Sequence, residues 1–445
     1  MRDGNPVSRR ATLRGAASLG AAGLLGGCGL LGTPPKPRLP GLREDVIATR
    51  NGLVASPGLT GPVTVPAPVA NAAWPQAGGN LAHLMVNPAA GGLGRVWRAD
   101  IGQSGGYRRA LIAEPIVAGG HAYTMDPSAA VAAFDLRNGE RLWRRPTRGK
   151  KDRSTNVGGG IAFDAGTLYA VNGLAEVVAL DPATGKVRWR HTIAAPGRGA
   201  PTIVGDRMFV PTADDQLLAL STKDGSRIWS YRAQHATTSV LGAPSPAFSD
   251  GIVVAGFGSG DLVGLHADTG EVAWADSLAA PRGNDLIDLS AVRGLPVIDN
   301  GIVYAVSLGG VMLALDLHSG RRVWERGVAS AQTPWVAGDW LFVLSTDQQI
   351  AAVARADGQV RWVMDLPRWR NVKKSRGPIR WSGPLLASSR LIVAGSTGQV
   401  AAIDPAQGHV LAQTRLTDSA INLGMIAASG LILVLAEDGT LNALR

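Results

Sequence analysis

A tryptophan recurs at one phase along most of this chain: Trp97, Trp143, Trp189, Trp229, Trp274, Trp324 and Trp362, spaced 38 to 50 residues apart. Each follows a turn, and each turn follows a short apolar run. The clearest copies are Val178-Ala179-Leu180-Asp181-Pro182-Ala183-Thr184-Gly185-Lys186-Val187-Arg188-Trp189 and Leu313-Ala314-Leu315-Asp316-Leu317-His318-Ser319-Gly320-Arg321-Arg322-Val323-Trp324. Phe134 to Trp143 and Leu265 to Trp274 match with small changes. The aspartate hydrogen-bonds backbone two residues on and the glycine supplies positive φ, which closes a hairpin. The tryptophan then lies on the next strand, with a large apolar face and an N–H in need of an acceptor. A period of roughly 40–50 residues with four short strands per unit is the mark of a β-propeller. Seven indoles at one phase are structural wedges between blades.

The repeats also count the blades. An eighth turn spans Asp404 to Gly408, with Ala412 in the tryptophan's place. The last segment, Ile421 to Leu444, supplies three strands, whereas Arg95-Val96-Trp97 supplies only an outer one. Joined, they complete one blade and remove the edges of an open array. The expected fold is an all-β, eight-bladed β-propeller over residues 71–445, closed by its N-terminal strand joining the C-terminal blade.

With 58 glycines, 27 prolines and 18% charged residues in 445, the chain has punctuation for many turns and can bury a sizeable core. Its net charge is +10, of which residues 1–27 carry +3, leaving about +7. That balance suits an acidic partner or an anionic surface; no nucleic-acid motif accompanies it, and no nucleic acid is expected as a partner. The seven histidines (His83, His121, His191, His235, His266, His318 and His409) make no metal-ligand spacing. Gly158-Gly159-Gly160 opens an inner strand near the central channel rather than a helix, so it is no phosphate loop. No catalytic, cofactor-binding or metal-binding residue is expected.

The N-terminus reads as address and tether. Arg9, Arg10 and Arg14 precede an apolar stretch from Gly15 to Gly27 that is too short to span a bilayer. Leu25-Gly26-Gly27-Cys28 resembles a bacterial lipobox, which implies a signal peptide over residues 1–27 and a lipid on Cys28, the chain's single cysteine. By the same resemblance, Gly29 favours the outer membrane. Ser8-Arg9-Arg10-Ala11-Thr12-Leu13-Arg14 resembles a twin-arginine signal, and the general export route stays open beside it. Eight prolines between residues 29 and 70 make residues 28–70 an extended tether from lipid to domain.

The blade unit resembles the PQQ-like propeller repeat, used by quinone-cofactor dehydrogenases and by the BamB lipoproteins of the β-barrel assembly (Bam) complex. Narrower matches are with BamB, in particular its alphaproteobacterial members: Leu39-Pro40-Gly41-Leu42-Arg43, Trp74-Pro75-Gln76-Ala77-Gly78-Gly79-Asn80, and Ile287 to Val297 followed by Gly301-Ile302-Val303-Tyr304-Ala305. The resemblance covers about residues 25–445. It implies a non-enzymatic scaffold, lipid-anchored on the periplasmic face of the outer membrane and without a cofactor. Such a scaffold binds the POTRA domains of BamA, belongs with the other Bam members, and helps deliver unfolded outer-membrane proteins. The family's contact loops correspond to Thr237 to Gly242 and Asn284 to Arg293, giving Val240, Leu241, Gly242, Asn284, Asp285, Asp288 and Arg293 as expected partner-binding residues. The sequence departs there from the family: Leu241 stands for an arginine, and Ala291 and Arg293 for acidic residues. Alternatives are a dehydrogenase, which would want an adjacent cysteine pair and a calcium site of carboxylates and amides, or a scaffold of another envelope complex.

Two basic runs remain. One holds Arg141, Arg144, Arg145, Arg148, Lys150, Lys151 and Arg153; the other holds Arg368, Arg370, Lys373, Lys374, Arg376 and Arg380. Both are expected in blade-to-blade connections, either as solvated loops or as a patch that steers an acidic domain or a membrane surface.

Overall fold

The computed structural model describes residues 53–106, 109–149, 156, 158–235, 242–279 and 290–445. Eight four-stranded antiparallel sheets follow one another as blades. Blades 1 to 7 span residues 116–146, 159–192, 202–232, 247–277, 297–327, 335–365 and 381–415. Blade 8 joins Ile426–Ala428, Leu431–Leu435 and Thr440–Leu444 to the outer strand Arg95–Asp100. Arg95 pairs with Leu444 and Asp100 with Thr440, so the ring closes as the repeat count requires.

Strand composition follows position. Middle strands are covered on both faces by neighbouring blades, so they read as unbroken apolar runs such as Val177-Val178-Ala179-Leu180, all fully buried. Outer strands face solvent and alternate, as in Arg227–Arg232. The core is a series of inter-blade layers. Tyr123, Met125 and Val131 of blade 1, for example, pack on Leu168, Val178 and Leu180 of blade 2.

The seven tryptophans act identically. Each indole N–H donates to a backbone carbonyl at the start of the next blade's last turn: Leu136, Pro182, Thr222, Ala267, Leu317, Arg355 and Pro405 in ring order, at 2.6–3.1 Å. The glycine of that same turn (139, 185, 225, 270, 320, 358 or 408) has φ between 65° and 77°. A Cβ there would come within 2.5–2.8 Å of the indole, so glycine is required for both conformation and space. Each tryptophan also lies across its own sheet from a small residue: Ala443, Ala133, Ala179, Ala219, Gly264, Ala314 or Ala352. Ala412 now has a reason. Its neighbour is blade 8, whose last two strands come from opposite ends of the chain. No turn joins them there, so an indole would find neither its glycine nor its acceptor.

From residue 53 the proline-rich stretch lies against the blades. Leu53 is buried with Trp324 and Val360, Val63 with Trp362, and the Ser56 N–H donates to the Val360 carbonyl at 2.7 Å. Residues 28–52, including Cys28, lie outside the described residues.

Candidate partner-docking face

Residues 69–91 form a belt that touches all eight blades. The Trp74 backbone pairs with Val117 of blade 1 in both directions, at 2.7 and 2.9 Å. Pro75 accepts from Phe163 of blade 2, and Gln76 bonds the Ile203 backbone of blade 3 through both ends of its amide. Leu81 and Ala82 accept from Phe248 and Ile298 of blades 4 and 5. Val86 accepts the Trp335 indole N–H of blade 6, Asn87 holds Ser389 of blade 7, and Gly91 donates to Gly430 of blade 8. The motif from Trp74 to Asn80 is thus the start of a plug in one mouth of the ring.

His83 sits at the heart of this plug. It is buried, and its Nδ1 lies 2.7 Å from the Pro296 carbonyl. Burial pulls its pKa down to about 4 from an ordinary 6.5, against a smaller opposing pull from that hydrogen bond. Between those two values the unfolded chain takes up a proton that the folded chain refuses. Stability contributed by neutral His83 is therefore complete above pH 6.5 and falls as pH drops towards 4, by up to about 3 kcal/mol. Urea melts at pH 7 and pH 4.5 are expected to show this loss in the native chain and a flatter pH response in His83→Gln. Equal slopes in both chains would contradict it.

The opposite mouth is open and rimmed by the connections that enter the inner strands. Glu114, Gly159, Arg198, Gly242, Arg293 and Gly424 line it, and Ala77 of the plug lies at its floor, around a cavity of about 140 Å³. Glu114 accepts the Gly424 N–H, and burial pushes its carboxyl upward. Burial pulls the Arg293 guanidinium down, and Arg293 makes no ion pair among the described residues. Of the expected partner-binding residues, Gly242 and Arg293 come together here: a Cβ on Gly242 would sit 3.1 Å from the guanidinium. Val240, Leu241, Asn284, Asp285 and Asp288 lie outside the described residues. Ala291, at one of the two positions where the resemblance leads one to expect an acid, is buried at 2% exposure.

The basic runs divide. Arg141, Arg144 and Arg145 stand on the outer strand of blade 1, not in its connection, because pairing with the strand Ala130–Asp135 continues through Pro146. Arg144 reaches Asp126 at 2.6 Å, and Arg145 donates to the Gly185 carbonyl at 2.8 Å. Lys150, Lys151 and Arg153 lie outside the described residues. The second run does occupy a connection, between blades 6 and 7, where it forms a hairpin that the sequence pattern does not announce.

Among solved structures, BamB from Moraxella catarrhalis shares the fold, with a TM-score of 0.66 and 20% identity over 80% of this chain and 100% of that one. So does the quinohemoprotein alcohol dehydrogenase of Comamonas testosteroni, at 0.62 and 15% over 83% of this chain and 80% of that one. The mouth does not fit a quinone held by a divalent cation. Its lining offers one carboxylate, Glu114, and no three His, Cys, Asp or Glu side chains converge among the described residues. In sequence, the outer membrane protein assembly factor BamB of Burkholderia pseudomallei is 27% identical over 79% of this chain and 87% of its own length. The protein of the same name from Yersinia pestis is 24% identical over 78% and 88%. The sequence pattern of the family described as outer membrane protein assembly factor BamB matches residues 127–364, more than half of the chain, and this propeller belongs to that family.

Proposed function

We propose that the chain is a non-enzymatic scaffold for the assembly and insertion of outer-membrane β-barrel proteins, and that it docks other members of the Bam complex at its open mouth. The observation that carries this reading is the asymmetry of the ring. One mouth is filled by the chain's own belt, and the other presents Gly242 and a half-buried Arg293 that makes no ion pair among the described residues, both on inter-blade connections. A desolvated arginine beside a shallow pocket is the kind of group on which interface energy concentrates. The partner we assign to this mouth is the POTRA region of BamA, with Val240, Leu241, Asn284, Asp285 and Asp288 as further contacts. Lipid on Cys28 would hold the domain at the periplasmic face of the outer membrane, with residues 29–52 as tether.

Arg293→Glu tests the assignment. Surface plasmon resonance against immobilised POTRA domains of BamA is expected to show affinity reduced by roughly tenfold or more. The thermal melt should stay unchanged, because Arg293 closes no ion pair within the described ring. Unchanged affinity would remove the mouth from the interface.

A further inference from the structure

The connection between blades 6 and 7 folds into a hairpin of its own. Trp369 pairs with Pro378, and Asn371 with Arg376. The Asn371 side-chain oxygen accepts the Lys374 N–H at 3.1 Å, and Ser375 takes a left-handed φ of 47°, which together close the tip. Residues 370–378 are exposed, and Trp369 before them is partly covered. Positive charge is concentrated there: Arg370, Lys373, Lys374 and Arg376 make no ion pair among the described residues, and neither does Arg380 at the base. Only Arg368 meets a carboxylate, Asp365, at 3.5 Å.

A cleft of about 860 Å³ lies beside this hairpin and runs to the channel mouth. Its apolar lining is built from Leu111, Leu344, Ile379, Trp381 and Ile421, all buried, with Trp369 and Leu423 half-covered at the sides. The Trp381 indole N–H donates to the Pro367 carbonyl at 2.9 Å, which fixes the aromatic face. Three carboxylates also face the region: Asp347, Asp365 and Glu437. Two are engaged, Asp365 by Arg368 and Glu437 by the Asn422 amide at 3.0 Å. Cations therefore dominate the rim.

We propose that this cleft docks an extended acidic segment of a partner protein, with apolar side chains set between its carboxylates. The carboxylates meet the cationic rim, and the apolar side chains reach the lining between them. A flat bilayer surface would touch the hairpin tip and leave the concave lining uncovered. The proposal goes beyond the mouth contact and stands whether or not that contact is made, since none of the residues tested below lies at the mouth.

The test is fluorescence anisotropy with the purified full chain and a short labelled peptide alternating glutamate with phenylalanine. Two control peptides replace the glutamates by lysine or the phenylalanines by serine. The parent peptide is expected to bind roughly tenfold or more tighter than either control, and more weakly as salt rises. Two variants, Trp369→Ser and the triple change Arg370→Glu, Lys373→Glu and Lys374→Glu, should each lose about tenfold in affinity while melting like the native chain. No binding of the parent peptide, or equal binding by the triple variant, overturns the proposal. So does hairpin-dependent binding to phosphatidylglycerol vesicles without peptide binding, which would make the tip a membrane contact.

Discussion

Trp274→Ala is expected to destabilise the ring by about 3–5 kcal/mol, the range for removing a buried large aromatic side chain. Three losses add at this position. The indole, 6% exposed, leaves a void between blades 4 and 5. The Leu317 carbonyl loses a donor at 2.6 Å. Gly264 across the sheet and Gly320 in the neighbouring turn have no side chains with which to fill the gap, since a Cβ on either would have sat 2.3 or 2.6 Å from Trp274. Trp274→Phe keeps most of the apolar area and gives up the hydrogen bond, so its cost should be smaller. The reciprocal change, Ala412→Trp, should bring no gain, because blade 8 has no turn to receive the ring. Urea midpoints measure all three. A cost of only about 1 kcal/mol for Trp274→Ala would mean that the blades are held elsewhere.

The ring was readable in the sequence because its wedges impose three constraints at once. An indole, a turn glycine in the next repeat and a small residue across the sheet recur together, as in Trp143, Gly185 and Ala133. Such a pattern survives variation in any single position, and counting it located the closing seam. The belt follows no period. Trp74, Gln76, Asn87 and Gly91 work mainly through backbone partners far along the chain, and only the resemblance of Trp74 to Asn80 marked the stretch. Charge was misread where geometry decides it: Arg144 looks free in sequence, yet Asp126 lies 2.6 Å away after a turn. The hairpin 369–378 was hidden for a similar reason. Its strands are three residues long and rich in arginine and asparagine, so strand propensity gives no signal. The Asn371 side chain, which accepts the Lys374 N–H at the tip, and the pairing of Trp369 with Pro378 define it instead.

Closure of blade 8 offers the other large effect, and it can be driven in both directions. Deleting residues 440–445 removes the strand that pairs Leu431–Leu435 with Arg95–Asp100 and takes buried Leu441, Ala443 and Leu444 from the core. Each buried leucine contributes about 1.5–3 kcal/mol, and the ladder bonds on both sides of the strand go too. The loss rivals the whole stability of a domain, so the truncated chain is expected to show no cooperative melt. The opposite experiment joins the ends. Asp100 faces Thr440 across the seam, a directly opposed antiparallel pair whose separation suits a disulfide. In a chain with Cys28→Ser, oxidising Asp100→Cys and Thr440→Cys would close a loop of roughly 340 residues, worth up to about 5–6 kcal/mol in the chain-entropy treatment. Some of that gain is offset by loss of the turn in which Asp100 accepts the Gly102 N–H at 2.7 Å. The oxidised chain should melt well above its reduced form. If oxidation leaves the midpoint unmoved, strain imposed on the native seam cancels the whole entropic gain, and Asp100 and Thr440 do not face each other at the separation that the pairing requires.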